Sequence, residues 1–290
     1  MKQTDILFKK KLLETFKAFD AFCKKNGIRY FACGGTLIGA VRHQGLIPWD
    51  DDVDVWMLPE DFKKFCSFKG KVGGHYDIMD ERDENYWLHL LAKFTDKDTT
   101  LWEVEEFPCV TGVYIDIFPL YECAAEDAII RKNKFDKFLA FFWHSMRHYS
   151  FKSVLSPLFH GDILRFYKIM KDILCYKPLH NYYNHKYKRF LSEITKGHGD
   201  KYVSYAGDYG KGEIFEKELF KEIIQLKYED MEIDAPKDYD KILRQLYGDY
   251  MKLPPVEKRV SNHPHYFMDL NSRWTKEDIR EFKKNHRSSL

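Results

Sequence analysis

The first strong periodic pattern in the chain is a run of apolar residues near the N-terminus. Between residues 5 and 25 they recur at spacings of three and four, which places them on one stripe of an α-helix. Charged residues fill many of the positions between them, and Asn26-Gly27 is a typical helix end. The stripe consists of Ile6, Leu12, Leu13, Phe16, Phe19 and Phe22. The pattern therefore predicts an amphipathic helix over residues 5–25.

Short apolar segments separated by turn residues follow this helix. The segments IRYFACGG (28–35) and, after Pro48, DVDVWM (52–57) predict strands, with a short helix between them over residues 36–43. DVDVWM alternates polar and apolar residues with the period of two that is typical of a strand. YWLHLLAKF (86–94) and GVYIDIFPL (112–120) predict two further strands, the second ended by Pro119.

The pattern changes in the second half of the chain. Beyond about residue 124 it becomes helical and aromatic, with no Gly/Ser-rich linker and no internal repeat. We therefore expect an α+β fold, in which residues 1–124 form a mixed β-sheet core with helices. Residues 125–290 should form a mostly helical C-terminal part that packs on this core as one unit.

The composition is that of a globular protein with a large core, because 44% of the 290 residues are apolar and 17% are aromatic. The N-terminal segment lacks the features of a signal peptide, and no window reaches the ~18 uncharged apolar residues of a membrane span. The six cysteines include no C-x-x-C pair, which argues against a zinc cluster or a disulfide framework. We therefore expect a cytoplasmic protein. Its net charge of +2 argues against general nucleic-acid binding.

Charge is unevenly distributed along the chain. Residues 129–190 contain thirteen Lys or Arg against three Asp, in a segment rich in Phe, Tyr and Trp. One interpretation is a solvated basic helical face. The other is a peripheral contact with anionic lipid or a lipid-linked glycan at the inner face of the membrane.

The densest acidic segment lies at residues 50–54, where four of five residues are Asp. Strand alternation would place Asp52 and Asp54 on one face, about 6.6 Å apart along the strand. Asp116, alone among apolar neighbours in YIDIF, offers a third carboxylate. Each like-charged pair within ~5 Å would cost on the order of 3 kcal/mol at an effective dielectric constant of 20. We therefore expect a hard divalent cation, Mg²⁺ or Mn²⁺, held by Asp52, Asp54 and Asp116.

A glycine turn precedes the acidic segment. Gly34-Gly35-Thr36 lies where a predicted strand ends and a helix begins, so its backbone N–H groups could face a phosphate group. The absence of a Cβ at the glycines would allow a close approach. Arg42 and His43, one to two helical turns later, could add positive charge.

This order of motifs resembles the nucleotidyltransferase superfamily, and more closely the LicD family of phosphocholine transferases, to which fukutin-like ribitol-phosphate transferases are related. The resemblance rests on GGTLIGAVRHQGLIPWDDDVDVWMLPEDFKKF (34–65), YIDIFPL (114–120) and APKDYDKILRQLYGDYMKLPP (235–255). It implies a nucleotidyltransferase-like sheet core that transfers a phospho-alcohol group from a CDP-alcohol donor, such as CDP-choline, to a glycan or glycolipid hydroxyl.

The resemblance also implies roles for individual residues. Asp52 and Asp54 would be metal ligands, Asp116 would complete the catalytic and metal-binding triad, and Gly34, Gly35 and Thr36 would lie near the phosphates. Asp116 is the better candidate for the general base, because a carboxylate that is not fully committed to the metal can accept the hydroxyl proton. The resemblance assigns no role to Asp50 or Asp51. Strand alternation turns Asp51 away from Asp52, so a supporting or loop role is one alternative for Asp51.

Further candidates each have an ordinary structural alternative. Lys93 could bind the donor phosphates or be a solvated strand residue. Four residues after the KLPP turn could close over the site or lie on the surface: Lys258, Arg259, His263 and His265. Four tryptophans could form a cage for a quaternary ammonium group or simply pack in the core: Trp49, Trp56, Trp87 and Trp102.

Two other functions remain open at this stage. A nucleotidyltransferase of the same fold would transfer the nucleotidyl group itself to a small molecule or a sugar. A non-catalytic nucleotide-binding protein on this fold is less favoured, because all three carboxylates are present.

Overall fold

The computed structural model describes residues 3–83, 86, 90–261 and 263–285. Within them the helices are α1 (Gln3–Asn26), α2 (Gly34–Ile38), α3 (Pro59–Cys66), α4 (Ala125–Met146), α5 (Phe151–Phe159), α6 (Ile163–Lys171), α7 (His180–Ile194), α8 (Tyr239–Tyr247) and α9 (Lys276–Asn285). The strands are β1 (Phe31–Ala32), β2 (Asp54–Met57), β3 (Tyr76–Met79), β4 (Ala92–Asp96), β5 (Thr100–Trp102), β6 (Tyr114–Pro119), β7 (Tyr121–Cys123), β8 (Lys201–Val203), β9 (Ile214–Glu216), β10 (Ile223–Tyr228), β11 (Met231–Pro236) and β12 (Phe267–Asp269).

A five-stranded mixed sheet forms the centre of the fold, in the order β1-β2-β6-β4-β3. Strands β2 and β6 run parallel, and the other neighbours are antiparallel. The expected mixed α+β architecture is therefore present. Parallel pairing of β2 with β6 brings two segments that are about sixty residues apart in sequence into direct register.

The alternation of side chains along the strands gives the sheet two faces. One face carries Val55, Ile117 and Phe94, which pack against the apolar stripe of α1 in the largest core cluster. The opposite face carries Trp56 and Phe118, with a separate cluster around them. The predicted N-terminal helix is confirmed as α1, and Leu12, Phe16 and Phe19 of its stripe are buried in this cluster. Ile6, which was predicted to belong to the stripe, is 52% exposed.

The C-terminal part contributes directly to the first of these cores. Strands β10 and β11 form a hairpin whose buried residues Tyr228, Ile233 and Ala235 belong to the same cluster as the α1 stripe. Leu243 from α8 joins them. Residues after 220 therefore complete the hydrophobic core that the N-terminal segments begin.

Several sequence-based boundaries differ from the structure. The strand predicted over 86–94 corresponds to β4, which covers Ala92–Asp96, and residues 87–89 of that prediction lie outside the described residues. The predicted helix over 36–43 begins earlier, at Gly34, and becomes a π-helical turn at Gly39–His43. The strand predicted from Asp52 begins at Asp54. The C-terminal part is mostly helical only as far as Ile194, because β8 to β12 follow. Strands β8, β9 and β12 have only three residues each, which is too brief an alternation to be recognised. The β10–β11 hairpin, with six residues in each strand, was not predicted.

The basic segment over 129–190 forms helices α4 to α7. Phe135, Leu139 and Phe142 of α4 pack with Tyr187 and Ile194 of α7 in a third apolar cluster. In the part of the chain that the structure describes, no helix combines the length and the apolar character that crossing a bilayer requires.

The shared core generates a prediction for the β10–β11 hairpin. Replacing fully buried Ile233 with Ala should lower the free energy of unfolding by about 2–5 kcal/mol, because the missing side-chain atoms leave a cavity. Ile223→Ala on the same hairpin is the matched control, since Ile223 is 38% exposed and its loss should cost less than about 0.5 kcal/mol. Urea unfolding measures both changes, and equal losses would contradict the placement of this hairpin in the core.

Candidate active site

Three charged side chains lie in one row across the central sheet. Asp54 on β2 is the register partner of Asp116 on β6, and Asp116 is the register partner of Lys93 on β4. Neighbouring strands are about 4.8 Å apart, so the two carboxylates project side by side from the same face. Lys93 Nζ donates a hydrogen bond to Asp116 Oδ1 over 2.8 Å. The row therefore places two acids and one base together on the face opposite α1.

The position of Lys93 excludes one of its two sequence-based alternatives, whereas binding of the donor phosphates stays a prediction. Its side chain is 1% exposed, and its Nζ lies 3.1 Å from the centroid of the Tyr114 ring. It is therefore not a solvated strand residue. Asp116 is alone among apolar neighbours in its own strand, but Lys93 on the neighbouring strand provides its counter-charge. Single-strand alternation cannot reveal a partner that only cross-strand register creates.

The carboxyl groups of this site are held in an unfavourable environment for charge. Burial, followed by the charges of Asp52 and Asp116, raises the pKa of Asp54 well above its usual range. Burial also raises the pKa of Asp116, although Lys93 opposes this change. The pKa values of Asp50 and Asp52 are raised for the same reason, burial beside other carboxylates. A cation at this position would relieve the repulsion.

A cavity of about 310 Å³ opens beside this row. On one side its walls carry Asp50, Asp52 and Asp54 together with Gly34 and Gly35. The structure thus brings the glycine turn and the acidic segment to one space. Substrate binding by Gly34 and Gly35 stays a prediction. The same holds for Thr36, Arg42 and Lys93.

The two glycines leave room for carboxylates. A Cβ on Gly35 would lie 2.4 Å from Asp50 Oδ2, and one on Gly34 would lie 3.3 Å from Asp54 Oδ2. Gly34 also has a φ of +51°, a conformation that side-chain-bearing residues rarely adopt. A side chain at position 35 would therefore displace the Asp50 carboxylate, whereas one at position 34 would press on Asp54 and strain the backbone.

Thr36 and Arg42 lie outside the cavity wall. Thr36 is buried, and its Oγ1 accepts a hydrogen bond from the Asp54 backbone N–H over 2.8 Å. It therefore links α2 to the start of β2. The Arg42 guanidinium donates to the Tyr250 carbonyl over 2.6 Å and to His43 Nε2 over 3.1 Å. In this structure Arg42 links the π-helical turn to the C-terminal part.

His263 and His265, which follow the KLPP turn, lie over the acidic segment 50–54. This is one of the two alternatives stated for them from the sequence. His263 Nδ1 lies 2.8 Å from Asp51 Oδ1, and Ser261 Oγ donates to Asp51 Oδ2. His263 Nε2 is 3.5 Å from Asp52 Oδ2. The hydrogen bond with Asp51 raises the pKa of His263 to about 9. His265 Nε2 lies 3.9 Å from Asp51, so both histidines stand over the loop.

Asp51 differs from its neighbours in its own titration. Burial alone would raise the pKa of Asp51, but hydrogen bonds from His263 and Ser261 outweigh burial and hold that pKa below the usual range. Asp51 is therefore an anchor for the C-terminal segment, which agrees with the supporting role considered for it. The neighbouring Arg259 guanidinium lies 5.4 Å from the Trp49 ring centroid, and Lys258 is exposed.

The tryptophans considered for an aromatic cage do not converge among the described residues. Trp56 is buried in the core cluster beside the cavity. Trp102 packs against Tyr266 at a different place, and Trp49 packs edge-on against His43. Trp87 lies outside the residues that the structure describes. Core packing accounts for Trp56 and Trp102.

The remaining cavity wall comes from residues that sequence reasoning missed. It includes Ser204, Asp208, Tyr209, Glu213 and Tyr247. Burial raises the pKa of Glu213 to about 7. The Ser204 hydroxyl is fully buried and has no hydrogen-bond partner in the described part of the chain. Glycines and acids in YAGDYGKGE (205–213) were the available signal, but no motif connected them to the acidic strand.

A buried lysine on α4 holds this second wall in place. Lys132 is fully buried, and its Nζ donates to the Gly207 carbonyl over 2.6 Å and to Asp136 Oδ1 over 2.7 Å. A weaker contact reaches the Tyr205 carbonyl at 3.3 Å. The helical C-terminal part therefore positions the loop that closes the cavity.

The donor set of the site suits a hard cation. Asp50, Asp52 and Asp54 give the cavity wall carboxylate oxygens, and Mg²⁺ usually takes one or two carboxylates while water and substrate phosphates fill its other positions. No three His, Cys, Asp or Glu side chains among the described residues form a ready ligand set. Carboxylates that border an open cavity fit an ion that shares its coordination between protein and substrate.

A mixed sheet with a glycine turn, an acidic strand and a third acid on the parallel neighbour defines a nucleotidyltransferase-type domain. Residues 27–162 match the family model described as LicD/FKTN/FKRP, nucleotidyltransferase domain. This part of the chain is therefore a LicD-type nucleotidyltransferase domain.

Named relatives agree with this family. Lipopolysaccharide cholinephosphotransferase LicD of Haemophilus influenzae is 28% identical, over 84% of this chain and 90% of that protein. Ribitol 5-phosphate transferase FKRP, from human and from mouse, is 38% identical over 71 residues, which is 24% of this chain and 14% of each relative. Similarity to the bacterial protein thus extends across most of the chain, whereas similarity to the mammalian proteins is local.

The link between α2 and β2 generates a prediction. Thr36→Val keeps the shape of the side chain but leaves the Asp54 N–H without its acceptor, so the free energy of unfolding should fall by about 1–3 kcal/mol. Thr36→Ser retains the hydroxyl and should cost less. Chemical denaturation of both variants tests this, and a Val variant as stable as the wild type would exclude the structural role assigned to the hydroxyl.

Proposed function

We propose that the chain is a metal-dependent transferase that moves a phospho-alcohol group, with phosphocholine as the first candidate, from a CDP-activated donor to a hydroxyl of a cell-surface glycan or glycolipid. The main support is the row of Asp54, Asp116 and Lys93 beside a cavity bordered by Gly34 and Gly35. The activity of the Haemophilus relative, a lipopolysaccharide cholinephosphotransferase, supports phosphocholine.

The chain's own residues have distinct tasks in this proposal. Asp52 and Asp54, with Asp116 completing the donor set, would hold Mg²⁺ or Mn²⁺, which when bound neutralises the donor diphosphate and the charge developing on the leaving CMP. Asp116 is the general base for the acceptor hydroxyl. Its Oδ1 accepts from Lys93, and a carboxylate has a second oxygen that can take a proton. Lys93 favours the ionised form of Asp116, which is the form that accepts a proton.

The second cavity wall supports choline as the alcohol. Asp208 and Glu213 are acidic, and the Tyr209 and Tyr247 rings meet edge to face with centroids 4.7 Å apart. Carboxylates and aromatic faces both attract a quaternary ammonium group, the latter through cation–π interaction. CDP-choline is therefore a better candidate donor than a CDP-polyol, which has no positive charge for this wall to recognise.

The test is incubation of the pure protein with Mg²⁺ and a panel of CDP-alcohols in the presence of a lipopolysaccharide acceptor. The proposal predicts release of CMP and an acceptor that gains phosphocholine. An acceptor that gains CMP, with release of the phospho-alcohol, would instead show nucleotidyl transfer, and the absence of any product with every donor would favour a non-catalytic nucleotide-binding protein.

Substitution of the two paired acids should separate catalysis from stability. Asp116→Asn should lower CMP release by about 10²- to 10⁴-fold through loss of the general base. It should also lower the free energy of unfolding, by up to about 3–5 kcal/mol, because Lys93 would lose its buried counter-charge. Asp54→Asn should abolish CMP release as well, yet it should not destabilise the protein in EDTA, because it removes carboxylate repulsion.

Asp98→Asn is the matched control, because Asp98 is an exposed acid in the turn that follows β4. It should leave both CMP release and stability unchanged. Near-wild-type turnover by Asp116→Asn would remove Asp116 from the catalytic assignment. If Asp116→Asn were inactive but fully stable, the pairing with Lys93 would be wrong instead.

A further inference from the structure

The helical hairpin α5–α6 carries an uncovered apolar surface that the proposed transferase chemistry does not use. Its exposed apolar side chains are Phe151, Leu158, Phe159, Ile163, Leu164 and Tyr167. We propose that this surface docks the protein on an anionic membrane, with the hairpin lying in the lipid headgroup region.

The degree of exposure is unusual for side chains of this size. Phe159 is 82% exposed and Ile163 is 72% exposed, and these two residues flank the turn at His160-Gly161. Phe151 at the start of α5 is 81% exposed. In contrast, the buried residues of the two helices are Pro157 and Ile169. Large apolar side chains that remain in water on one contiguous element indicate a surface that is covered by a partner.

Basic residues accompany these apolar side chains. Lys152 on α5 and Arg165, Lys168 and Lys171 on α6 are all exposed. A helix pair with apolar side chains and Lys or Arg beside them is the arrangement that binds at a membrane interface, where lipid tails take the apolar groups and anionic headgroups attract the basic ones.

The acids of this region do not cancel that positive charge. Asp172 is buried, and it contacts His144 Nδ1 at 2.8 Å and Arg147 at 3.6 Å. Asp136 pairs with buried Lys132, and Asp162 accepts the backbone N–H of Arg165 at the start of α6. The charge that this hairpin presents to a partner is therefore predominantly positive.

A second copy of the chain and an anionic bilayer are the two alternatives for what covers this surface, and the positive charge favours the bilayer. A second copy of the chain, paired about a two-fold axis, would bring Lys152, Arg165 and Lys168 against identical lysines and arginines, which is unfavourable. An anionic bilayer offers both the apolar environment and the opposite charge. Helices of nine residues, each about 13.5 Å long, cannot span a bilayer, so they would lie along its surface.

Vesicle flotation of the full chain tests the proposal. The protein should float with vesicles of phosphatidylcholine and phosphatidylglycerol, and much less with phosphatidylcholine alone. Phe159→Ser/Ile163→Ser should weaken binding by about tenfold or more, because both side chains leave the lipid. Lys152→Gln/Lys168→Gln should weaken it by about fivefold per charge. Added salt should weaken wild-type binding, because exposed charges are screened over ~8 Å at physiological ionic strength.

Matched controls come from α1, where similar side chains are exposed outside this surface. Ile6→Ser/Leu7→Ser replaces residues that are 52% and 51% exposed, and Lys10→Gln/Lys25→Gln removes two charges. Both control variants should bind vesicles as the wild type does. Unchanged circular dichroism and melting temperatures establish that all four variants fold.

Several results would overturn the proposal. They are failure to float with anionic vesicles at low salt, equal flotation with neutral vesicles, and equal losses in the control variants. A dimer in sedimentation velocity that Phe159→Ser/Ile163→Ser dissociates would assign the surface to a second copy instead. None of these outcomes depends on transferase activity, so the membrane surface and the proposed reaction can fail independently.

Discussion

Two carboxylates, Asp54 and Asp116, lie opposite each other on adjacent parallel strands, and much of the site is arranged around them. Burial makes their charge unfavourable, so the pKa of each is raised. Lys93 compensates part of that cost from the next strand. A fold retains such an arrangement when a bound cation or substrate supplies the missing counter-charge. The stability of the sheet and the chemistry of the site are therefore coupled.

The surrounding elements hold this pair in place from both halves of the chain. Thr36 fixes the backbone at the start of β2, and Gly34 allows the turn to approach the Asp54 carboxylate. From the C-terminal half, His263 lies against Asp51 and Asp52. Lys132 donates a hydrogen bond to the Gly207 carbonyl and so stabilises the loop that forms the second wall of the cavity. The N-terminal domain alone would thus lack one wall of the cavity and part of its core.

The sequence predicted those features that local periodicity and motif order determine. The stripe on α1, the alternation around Asp54 and the isolated acid in YIDIF were sufficient to locate the central strands and the acidic row. The partner of Asp116 could not be predicted, because the contact with Lys93 depends on strand order and register. The positions of Glu213 and Ser204 could not be predicted either, because a small sheet of three-residue strands places them at the cavity.

The central claim is that the Asp54–Asp116 pair is a cation site, and the most direct measurement is thermal unfolding with and without Mg²⁺ or Mn²⁺ after treatment with EDTA. The account predicts that either ion raises the melting temperature of the wild type in a concentration-dependent manner, as binding to the native state requires. It also predicts that Asp54→Asn removes this response, whereas Asp98→Asn preserves it. No effect of either ion on the wild type, or the same increase in Asp54→Asn, would contradict the account.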